Sequence, residues 1–393
     1  MATNRPADHA ADLATSAAVG LARLAGIFRA EAANGLYWGA GPDEEARLRR
    51  LRELAAALTA EVDHRSFAAI LAIYETDTNL RTPMPGIEFR VDCADGTRLV
   101  RRERLDATSG TLGQRLTATA SALGTEVPAD PVAIADTDLA GFACPHTFLL
   151  VYELATGLDA ASAAVLLAPG DPDLDGDLPS VTPESSAAQP DRPSLPVSSA
   201  AREIIDAAAA LAKESLAAVT NVYEIERQHR IAELCERTVE TDLAYPRIDC
   251  GNLAAHCVST GADAAVFDDA GRLLVIRRTD TGQWAVPGGA AEVGEPVGLA
   301  AVREAAEETG LDVELTGLNW AFDKRDTDLG DSRMPMIMSF AARMLDPGQP
   351  IRLAELEASD SRWVTREEAE RIDLFRGHEL RVPAAFARHE DER

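Results

Sequence analysis

Three glutamates between two glycines impose the strongest constraint on how this chain folds. Glu304, Glu307 and Glu308 stand at i, i+3 and i+4, between Gly289 and Gly310. In a helix this spacing brings their β-carbons to about 5–6 Å, where like charges destabilise the helix unless a cation compensates them. Carboxylates are hard oxygen ligands that suit magnesium or manganese, and phosphates and water complete the coordination of such ions. The segment therefore predicts a helix that carries a metal-assisted phosphate site.

The flanking residues predict where this helix begins, where it ends and what it packs against. Pro296 suits the first helical turn, and Gly310 suits the left-handed position just past the helix end. Two apolar runs, at 262–267 and 273–278, surround a turn and predict a hairpin before the helix. An apolar stripe opposite the glutamates is expected to pack on a sheet. Its members are Leu299, Val302, Ala305 or Ala306, and Thr309.

The segment 289–311 resembles the Nudix box, G-x5-E-x7-R-E-U-x-E-E-x-G-U, in which U is a bulky aliphatic residue. The matching positions are Gly289, Glu295, Arg303, Glu304, Glu307, Glu308, Gly310 and Leu311. The approach Trp-Ala-Val-Pro-Gly-Gly at 284–289 is also familiar in that family. One position departs, because Ala305 stands where Leu, Val or Ile is usual. The alternative, an ordinary solvated charged helix, explains neither the Gly-Gly loop nor Glu295.

The resemblance implies a metal site with defined ligands. Glu304, Glu307 and Glu308, together with the backbone carbonyl of Gly288, would hold one to three Mg²⁺ or Mn²⁺ ions. Gly289, Glu295 and Gly310 would be motif residues with structural roles. Bound divalent ions can neutralise phosphoryl oxygens, activate water and stabilise the leaving phosphate.

Arg303 and the general base are less constrained by the motif. The resemblance implies that Arg303 orients a glutamate for metal binding. The spacing alone indicates only that Arg303 forms an ordinary surface ion pair with Glu307, four residues on. One glutamate of the box would accept the proton of the attacking water, and we favour Glu304. Glu355 and Glu357 are candidates outside the box, with solvated loop acids as the simpler interpretation. We predict Glu304, Glu307 and Arg303 as the catalytic set.

The resemblance implies hydrolysis of a phosphoric anhydride bond. Residues 205–375 also resemble, more weakly, the bacterial Nudix subgroup with an N-terminal helical extension that acts on X-linked nucleoside diphosphates. That likeness implies a nucleotide sugar, ADP-ribose or CDP-alcohol type of substrate, cleaved to a nucleoside monophosphate and X-phosphate. Nucleoside triphosphates are the alternative substrate class, and a nucleotide-binding regulatory or scaffold protein is the alternative to an enzyme. The substrate-binding residues are unknown at this level.

The chain divides into two halves that are similar to each other. Its 393 residues are too many for one Nudix unit, and the Pro-, Asp- and Ser-rich stretch 168–200 predicts a disordered linker. The helical pair at 27–58 aligns with that at 211–239, and residues 86–102 parallel 261–278.

The N-terminal half has lost the charged residues of the motif. Aligned through Gly124 and Gly310, its helix at 112–127 carries uncharged residues where the box has Arg303, Glu304, Glu307 and Glu308; these are Thr117, Ala118, Ser121 and Ala122. We therefore predict an inactive pseudo-Nudix copy, with an unrelated α/β domain as the alternative.

These observations predict an α/β (α+β) architecture. The expected fold is a Nudix-type α/β/α sandwich with a mixed sheet, in tandem as a degenerate and an intact copy, each preceded by a helical extension. The predicted segments are helical extension 1–62, degenerate Nudix domain 63–167, linker 168–200, second helical extension 201–245 and catalytic Nudix domain 246–393.

The charge of the chain bears on its partners. A formal net charge of −27 disfavours nucleic acid and is compatible with a small metal-chelated nucleotide. The two copies are expected to form an intramolecular pseudo-dimer, or the chain a homodimer. Asp8 and Asp12 precede the apolar run at 17–21, which is unlike a signal peptide, and no apolar run approaches the roughly 18 residues of a membrane span. We predict a cytoplasmic protein without a membrane partner.

Overall fold

The computed structural model describes residues 6–106, 110–188, 193–255, 258–329 and 334–391, with side chains from Ala11 onward. The helices are α1 (Pro6–Tyr37), α2 (Pro42–Val62), α3 (Phe67–Tyr74), α4 (Leu112–Leu123), α5 (Ala160–Leu166), α6 (Ser199–Leu216), α7 (Val222–Glu236), α8 (Val297–Thr309), α9 (Arg366–Ala369) and α10 (His378–Asp391). The strands are β1 (Met84–Asp92), β2 (Arg98–Arg104), β3 (Ala133–Asp136), β4 (Thr147–Ala155), β5 (Ser180–Val181), β6 (Leu195–Val197), β7 (Thr238–Glu240), β8 (Thr260–Phe267), β9 (Leu273–Arg278), β10 (Trp284–Ala285), β11 (Gly288–Ala290), β12 (Val313–Asp323), β13 (Met336–Met344) and β14 (Ala358–Val364).

The chain forms two compact units, and each draws on both halves of the sequence. The helical unit comprises residues 1–81, 137–146 and 190–257, and the α/β unit comprises residues 82–136, 147–189 and 258–393. The predicted boundaries, which placed one complete domain after another along the chain, are therefore wrong. Sequence order could not show this, because helices from distant segments complete the same core.

The helical unit is built from α1, α2, α3, α6 and α7. Local signals explain its helices: Pro42 and three acidic residues begin α2, and the Ser198 side chain accepts a hydrogen bond from Ala201 N–H at the start of α6. Phe28, Leu58 and other apolar side chains of these helices form one buried cluster. The two helical extensions predicted at 1–62 and 201–245 are thus parts of a single core.

One helix of this unit bears on the prediction that no segment is apolar enough to span a membrane. Within the described residues, the helical segment Ala11–Tyr37 is long and apolar enough to cross a membrane, judged by length and composition alone. The prediction that no such segment exists is therefore wrong in its stated form. The same helix carries Arg29, which is buried and ion-paired with Asp77 at 2.7 Å. Core helices of soluble proteins pass the same test, and the cytoplasmic location stays a prediction.

The α/β unit contains two mixed sheets. The first has strand order β2-β1-β4-β3-β5, and the second has the path β10-β9-β8-β13-β12, with β11 on β8 and β14 on β9. In both sheets a central parallel pair, β1–β4 or β8–β13, is flanked by antiparallel neighbours. The predicted mixed α/β class is confirmed. The predicted hairpin is also present, with β8 and β9 joined by a turn at Gly271, whose φ is 75°.

The second sheet is covered by a helix on each face. Ala262, Ala264 and Val266 of β8 share a buried cluster with α8, whereas Ala265 and Phe267 share another with α10. Side chains alternate between the two faces because successive residues of a strand point to opposite sides. This arrangement is a three-layer α/β/α sandwich, formed by the described residues 258–329 and 334–391.

The predicted disordered linker at 168–200 is wrong wherever the structure describes that stretch. It contains 3₁₀ turns at 172–174 and 184–187, and strands β5 and β6. Residues 189–192 lie outside the described ranges. The composition misled because Asp and Pro here form turns and ion pairs: Asp171 and Asp173 both accept hydrogen bonds from Arg104, at 2.6 and 3.1 Å.

Candidate active site

The Gly-Gly segment and α8 bring the motif together at the middle of the second sheet. Gly288 and Gly289 lie in β11, which pairs with Asp263 and Ala262 of β8. Helix α8 begins at Val297, so that Pro296 is its N-cap, one residue earlier than predicted. Gly310 ends the helix in the left-handed region, with φ 69°.

The apolar stripe of α8 is made of smaller side chains than predicted. Ala301, Ala305 and Thr309 are almost completely buried, whereas Leu299 and Val302 are only partly buried. Ala305, the residue that departs from the motif, is fully buried in the cluster that α8 shares with β8. Small residues on this stripe allow the helix to lie close to the sheet.

Arg303 organises the acidic residues of the motif. Its Nε and Nη2 donate to the two oxygens of Glu295 at 2.9 and 3.1 Å, and Nη2 also donates to the Ala290 carbonyl at 3.0 Å. Its Nη1 donates to Glu304 at 2.9 Å and Glu307 at 2.8 Å. An arginine with five such contacts fixes the carboxylates geometrically, which an isolated surface pair does not.

Glu304 and Glu308 are held against the Gly-Gly segment. The Glu308 carboxylate accepts a hydrogen bond from Gly288 N–H at 2.8 Å and is 7% exposed. The Glu304 side chain is 14% exposed and lies so close to Gly289 that a β-carbon there would be 2.6 Å from its carboxyl carbon. Any larger residue at 289 would therefore displace the Glu304 carboxylate.

Burial changes the titration of these two carboxyls. It raises the pKa of Glu304 to about 7, and the Glu307 charge adds to the rise while Arg303 opposes it. Burial and the neighbouring Glu304 charge raise the pKa of Glu308 well above its ordinary value. Two buried carboxyls that disfavour each other's charge form an environment that a cation would stabilise.

Glu307 differs from the other two glutamates. Its side chain is 47% exposed, and its carboxylate contacts Arg303. Within the described parts of the chain, no three His, Cys, Asp or Glu side chains converge as a ready metal cage. The donor chemistry nevertheless fits a hard divalent cation, because the Glu308 carboxylate is held at the Gly288 N–H and the Glu304 carboxyl lies against the neighbouring Gly289.

Several residues near the site were not predicted as functional. Arg278 lies over the Phe375 ring at 4.5 Å and interacts electrostatically with Glu308 and Glu357. Of the two outside candidates, Glu357 thus lies within the electrostatic reach of Glu308, whereas Glu355 is exposed. Arg278 had no sequence signal beyond ending a strand, and its contact with Phe375 joins residues far apart in the chain.

A buried polar network lies on the other face of the same sheet. Asp263 accepts hydrogen bonds from Ser339 at 2.6 Å and from Arg381 of α10. Burial, together with Arg381, lowers the pKa of nearby Lys324 to about 8. Sequence analysis missed this network because its members come from β8, β13, α10 and the 3₁₀ turn after β12.

Helix α4 is the element aligned with α8 in the N-terminal half. It ends at Gly124, with φ 65°, as α8 ends at Gly310. The positions aligned with the charged residues of the motif are all exposed; they are Thr117, Ala118, Ser121 and Ala122. None of these side chains can serve as a carboxylate ligand.

The start of α4 contacts the loop after β12. Backbone N–H groups of Leu112 and Gly113 donate to the carboxylates of Asp323 and Asp326, at 3.0 and 2.9 Å. Acidic side chains at a helix N-terminus satisfy its free N–H groups and its positive dipole end. Side chains of both sheets also belong to one buried cluster.

Comparison with known proteins agrees with this geometry. A family model described as NUDIX domain matches residues 259–384. A MutT-like protein of Streptomyces ambofaciens is 34% identical over 113 residues, which are 29% of this chain and 66% of that protein. Nucleoside diphosphate-linked moiety X motif 6 of Xenopus laevis is 40% identical over 67 residues, covering 16% of this chain and 30% of the relative.

A solved structure gives a similar partial match. An ADP-ribose pyrophosphatase from Streptococcus suis 89-1591 is 21% identical, with TM-score 0.29, and the match covers 35% of this chain and 95% of that one. This chain spans less than two thirds of the length of the curated relatives named above. The part of the chain that is similar to the NUDIX domain family is thus residues 259–384, about a third of its length.

Proposed function

We propose that this chain is a divalent-metal-dependent pyrophosphohydrolase. Its substrate would be a small nucleoside diphosphate derivative of the nucleotide sugar, ADP-ribose or CDP-alcohol type, cleaved to a nucleoside monophosphate and X-phosphate. The observation that carries the proposal is the burial of Glu304 and Glu308 side by side at the Gly288–Gly289 segment. Burying two like charges is costly unless the site binds a cation.

The residues of the site would divide the work of binding and positioning. Glu304 and Glu308 would hold Mg²⁺ or Mn²⁺ together with the Gly288 carbonyl. Glu307, whose carboxylate accepts a hydrogen bond from Arg303, would be a further ligand of the ion. The bound ion would supply charge neutralisation at the phosphoryl oxygens and a lowered pKa of the attacking water. Arg303, tied to Glu295 and Ala290, keeps Glu304 in place.

We assign the proton acceptor to Glu304. Burial raises its pKa to about 7, which places a carboxylate base near the operating pH of most cells. Glu357 is the competitor, since it lies within electrostatic reach of Glu308. Glu357→Gln should therefore retain most of the turnover that Glu304→Gln loses.

We propose further that the N-terminal half is a degenerate copy that forms an intramolecular pseudo-dimer with the NUDIX domain. The shared strand order, the matching helix ends at Gly124 and Gly310, and the uncharged α4 support this. The contacts of α4 with Asp323 and Asp326 would steady the loop after β12. This copy would have no turnover of its own.

A substrate panel tests the function. Purified full-length protein is incubated with nucleotide sugars, ADP-ribose, CDP-alcohols and nucleoside triphosphates, with Mg²⁺, with Mn²⁺ and with EDTA. We expect metal-dependent release of a nucleoside monophosphate, nearly abolished in Glu304→Gln and Glu308→Gln. The full-length double variant should show no metal-dependent turnover, because the aligned positions of α4 in the N-terminal half carry no carboxylates.

The panel also separates the proposal from its alternative. Nucleotide binding without turnover under every metal condition would favour a regulatory protein with a Nudix fold. Full turnover in both single variants, with circular dichroism showing intact folds, would refute the site assignment.

A further inference from the structure

Lysine is almost absent from this chain, and one of its two lysines lies in the buried polar network around Asp263. Of the 38 lysine and arginine residues, only Lys213 and Lys324 are lysines. Lys213 is exposed on α6, whereas Lys324 is partly buried and begins the 3₁₀ turn after β12. Arginine stays protonated in proteins, but the amine of lysine can lose its proton and act as a nucleophile. Lys324 can therefore supply the network with a neutral amine.

Hydrogen bonds hold the backbone on both sides of Lys324. Its N–H donates to the Pro335 carbonyl at 2.8 Å. The preceding Asp323 accepts from the Arg325 N–H at 3.0 Å and from the Arg325 guanidinium at 2.7 and 2.9 Å. Asp323 also accepts from the Leu112 N–H of α4 at 3.0 Å. The Lys324 side chain thus starts from a fixed backbone position.

The stem of the Lys324 side chain lies beside apolar groups. A β-carbon on Gly377, one residue before α10, would lie 3.6–3.8 Å from three side-chain ends. They are Leu329 Cδ1, Phe322 Cε1 and Lys324 Cε. Apolar surroundings disfavour the charged ammonium relative to the neutral amine.

Charged and titratable groups from three parts of the chain face the Lys324 amine. They are Arg381, Glu379 and His378 of α10, Arg376 in the segment before α10, and Asp263 of β8. Asp263 also accepts hydrogen bonds from Ser339 and Arg381, and the Glu379 carboxylate accepts one from the Gly377 N–H. Burial holds the pKa of His378 well below its ordinary value, so this ring is neutral. The two carboxylates around Lys324 are therefore shared with other donors.

These surroundings activate the amine. Burial, followed by the Arg381 charge, lowers the pKa of Lys324 from 10.5 to about 8, against the opposing effect of Asp263. At pH 7 such a change raises the fraction of neutral amine about 300-fold. Desolvation and a neighbouring cation are both means by which proteins make a lysine nucleophilic.

We propose that Lys324 is a site of covalent acylation by an acyl phosphate. The lone pair of Nζ would attack the acyl carbon, an amide C–N bond would form as the C–O bond to phosphate breaks, and the amine proton would leave with the phosphate. Arg376 is exposed and forms no ion pair with any residue that the structure describes, so its guanidinium can attract the phosphate. The amide product is neutral and removes one cation from beside Arg381. The inference goes beyond the proposed hydrolase activity and requires neither metal nor turnover.

Site-resolved acetylation of the full-length protein tests this proposal, with Lys213 as the matched control. The protein is incubated with acetyl phosphate at pH 7, and peptide mass spectrometry gives the initial rate at each lysine. We expect Lys324 to react at least about tenfold faster than Lys213. Part of the gain in neutral amine is lost because a less basic nucleophile is intrinsically slower, as thiols show, and because burial limits access. The rate at Lys324 should level off above a pH of about 8.

Denaturation tests whether the fold causes this preference. In a denaturing concentration of urea, the two lysines should react at similar rates. The proposal is overturned if Lys213 reacts as fast as Lys324 in the folded protein at pH 7, or if the preference for Lys324 survives in urea.

A second donor tests the role of the phosphate group. Arg376→Gln should slow the reaction of Lys324 with acetyl phosphate at least about threefold, and more than it slows the reaction with the neutral thioester S-acetyl-N-acetylcysteamine. Arg371→Gln, which is exposed in the same segment, should react with both donors as the wild type does. Equal slowing of the two donors by Arg376→Gln would overturn the assignment of an acyl phosphate as the donor.

Discussion

Replacing Gly289 by alanine should separate the stability of this domain from its activity. A β-carbon at 289 would lie 2.6 Å from the carboxyl carbon and both carboxyl oxygens of Glu304. An ordinary contact begins at 3.4 Å, so the carboxylate must move by about 0.8 Å. The atoms that move are the far end of a flexible side chain, and the backbone of β11 can keep its pairing with β8.

We expect this variant to lose activity while remaining folded. Its unfolding free energy should change by less than about 1 kcal/mol, because no backbone atom has to shift. Metal-dependent turnover should fall about 100-fold, since displacement of a reacting group by about 1 Å has that effect. Hydrolysis of the best substrate of the panel, Mg²⁺ titration and thermal unfolding provide the measurements.

Two glycine variants serve as comparisons. At Gly288 a β-carbon would lie 2.5 Å from the Asp263 β-carbon and 2.6 Å from the Ala262 carbonyl oxygen. Because backbone atoms of β8 would have to move, Gly288→Ala should disrupt the pairing of β11 with β8. At Gly157 no atom lies within 4 Å, and Gly157→Ala should change neither property. Near-normal turnover in a folded Gly289→Ala protein would refute the inference that the Glu304 position governs catalysis.

Three further outcomes follow from the same geometry. Because burial raises the pKa of Glu304 to about 7 from 4.5, the folded metal-free protein retains a proton that the unfolded chain has released. Its thermal stability in EDTA should therefore decrease as pH rises from about 5 to about 8, and Glu304→Gln should flatten that profile. Arg303→Lys should lower turnover about 10–100-fold, because lysine cannot hold Glu295 and Glu304 together; a rate within twofold of wild type would contradict the positioning role. Chemical denaturation should show Gly298→Ala destabilised by about 1–3 kcal/mol, since its β-carbon would lie 2.2 Å from Ser186 Oγ, whereas Gly26→Ala, in helix α1 with open space, should be stabilised by up to about 1 kcal/mol.

The motif itself could be predicted from the sequence because it is a local property. The i, i+3, i+4 spacing, the glycine that ends α8 and the hairpin before it depend on neighbours within a few residues. The resemblance implied only that Arg303 orients a glutamate, and the sequence did not identify Glu295 as its partner; the structure shows that Arg303 donates two hydrogen bonds to Glu295.

The domain boundaries and the linker could not be predicted in the same way. Two helical segments more than a hundred residues apart share one core, and the acidic stretch around Asp171 is ordered by Arg104 of β2. Composition describes what a segment contains and says nothing of distant partners, so a Pro- and Asp-rich stretch with ion-pair partners looks like one without them.

The sequence by itself determined that a helix with three glutamates at i, i+3 and i+4 would follow a Gly-Gly segment. Only the tertiary structure decided that Glu304 and Glu308 are buried against that segment while Glu307 remains half exposed on Arg303. The difference is physical: helical spacing depends on local backbone geometry, whereas burial, and the raised pKa of Glu304 that follows from it, depends on strands that the chain brings together from elsewhere.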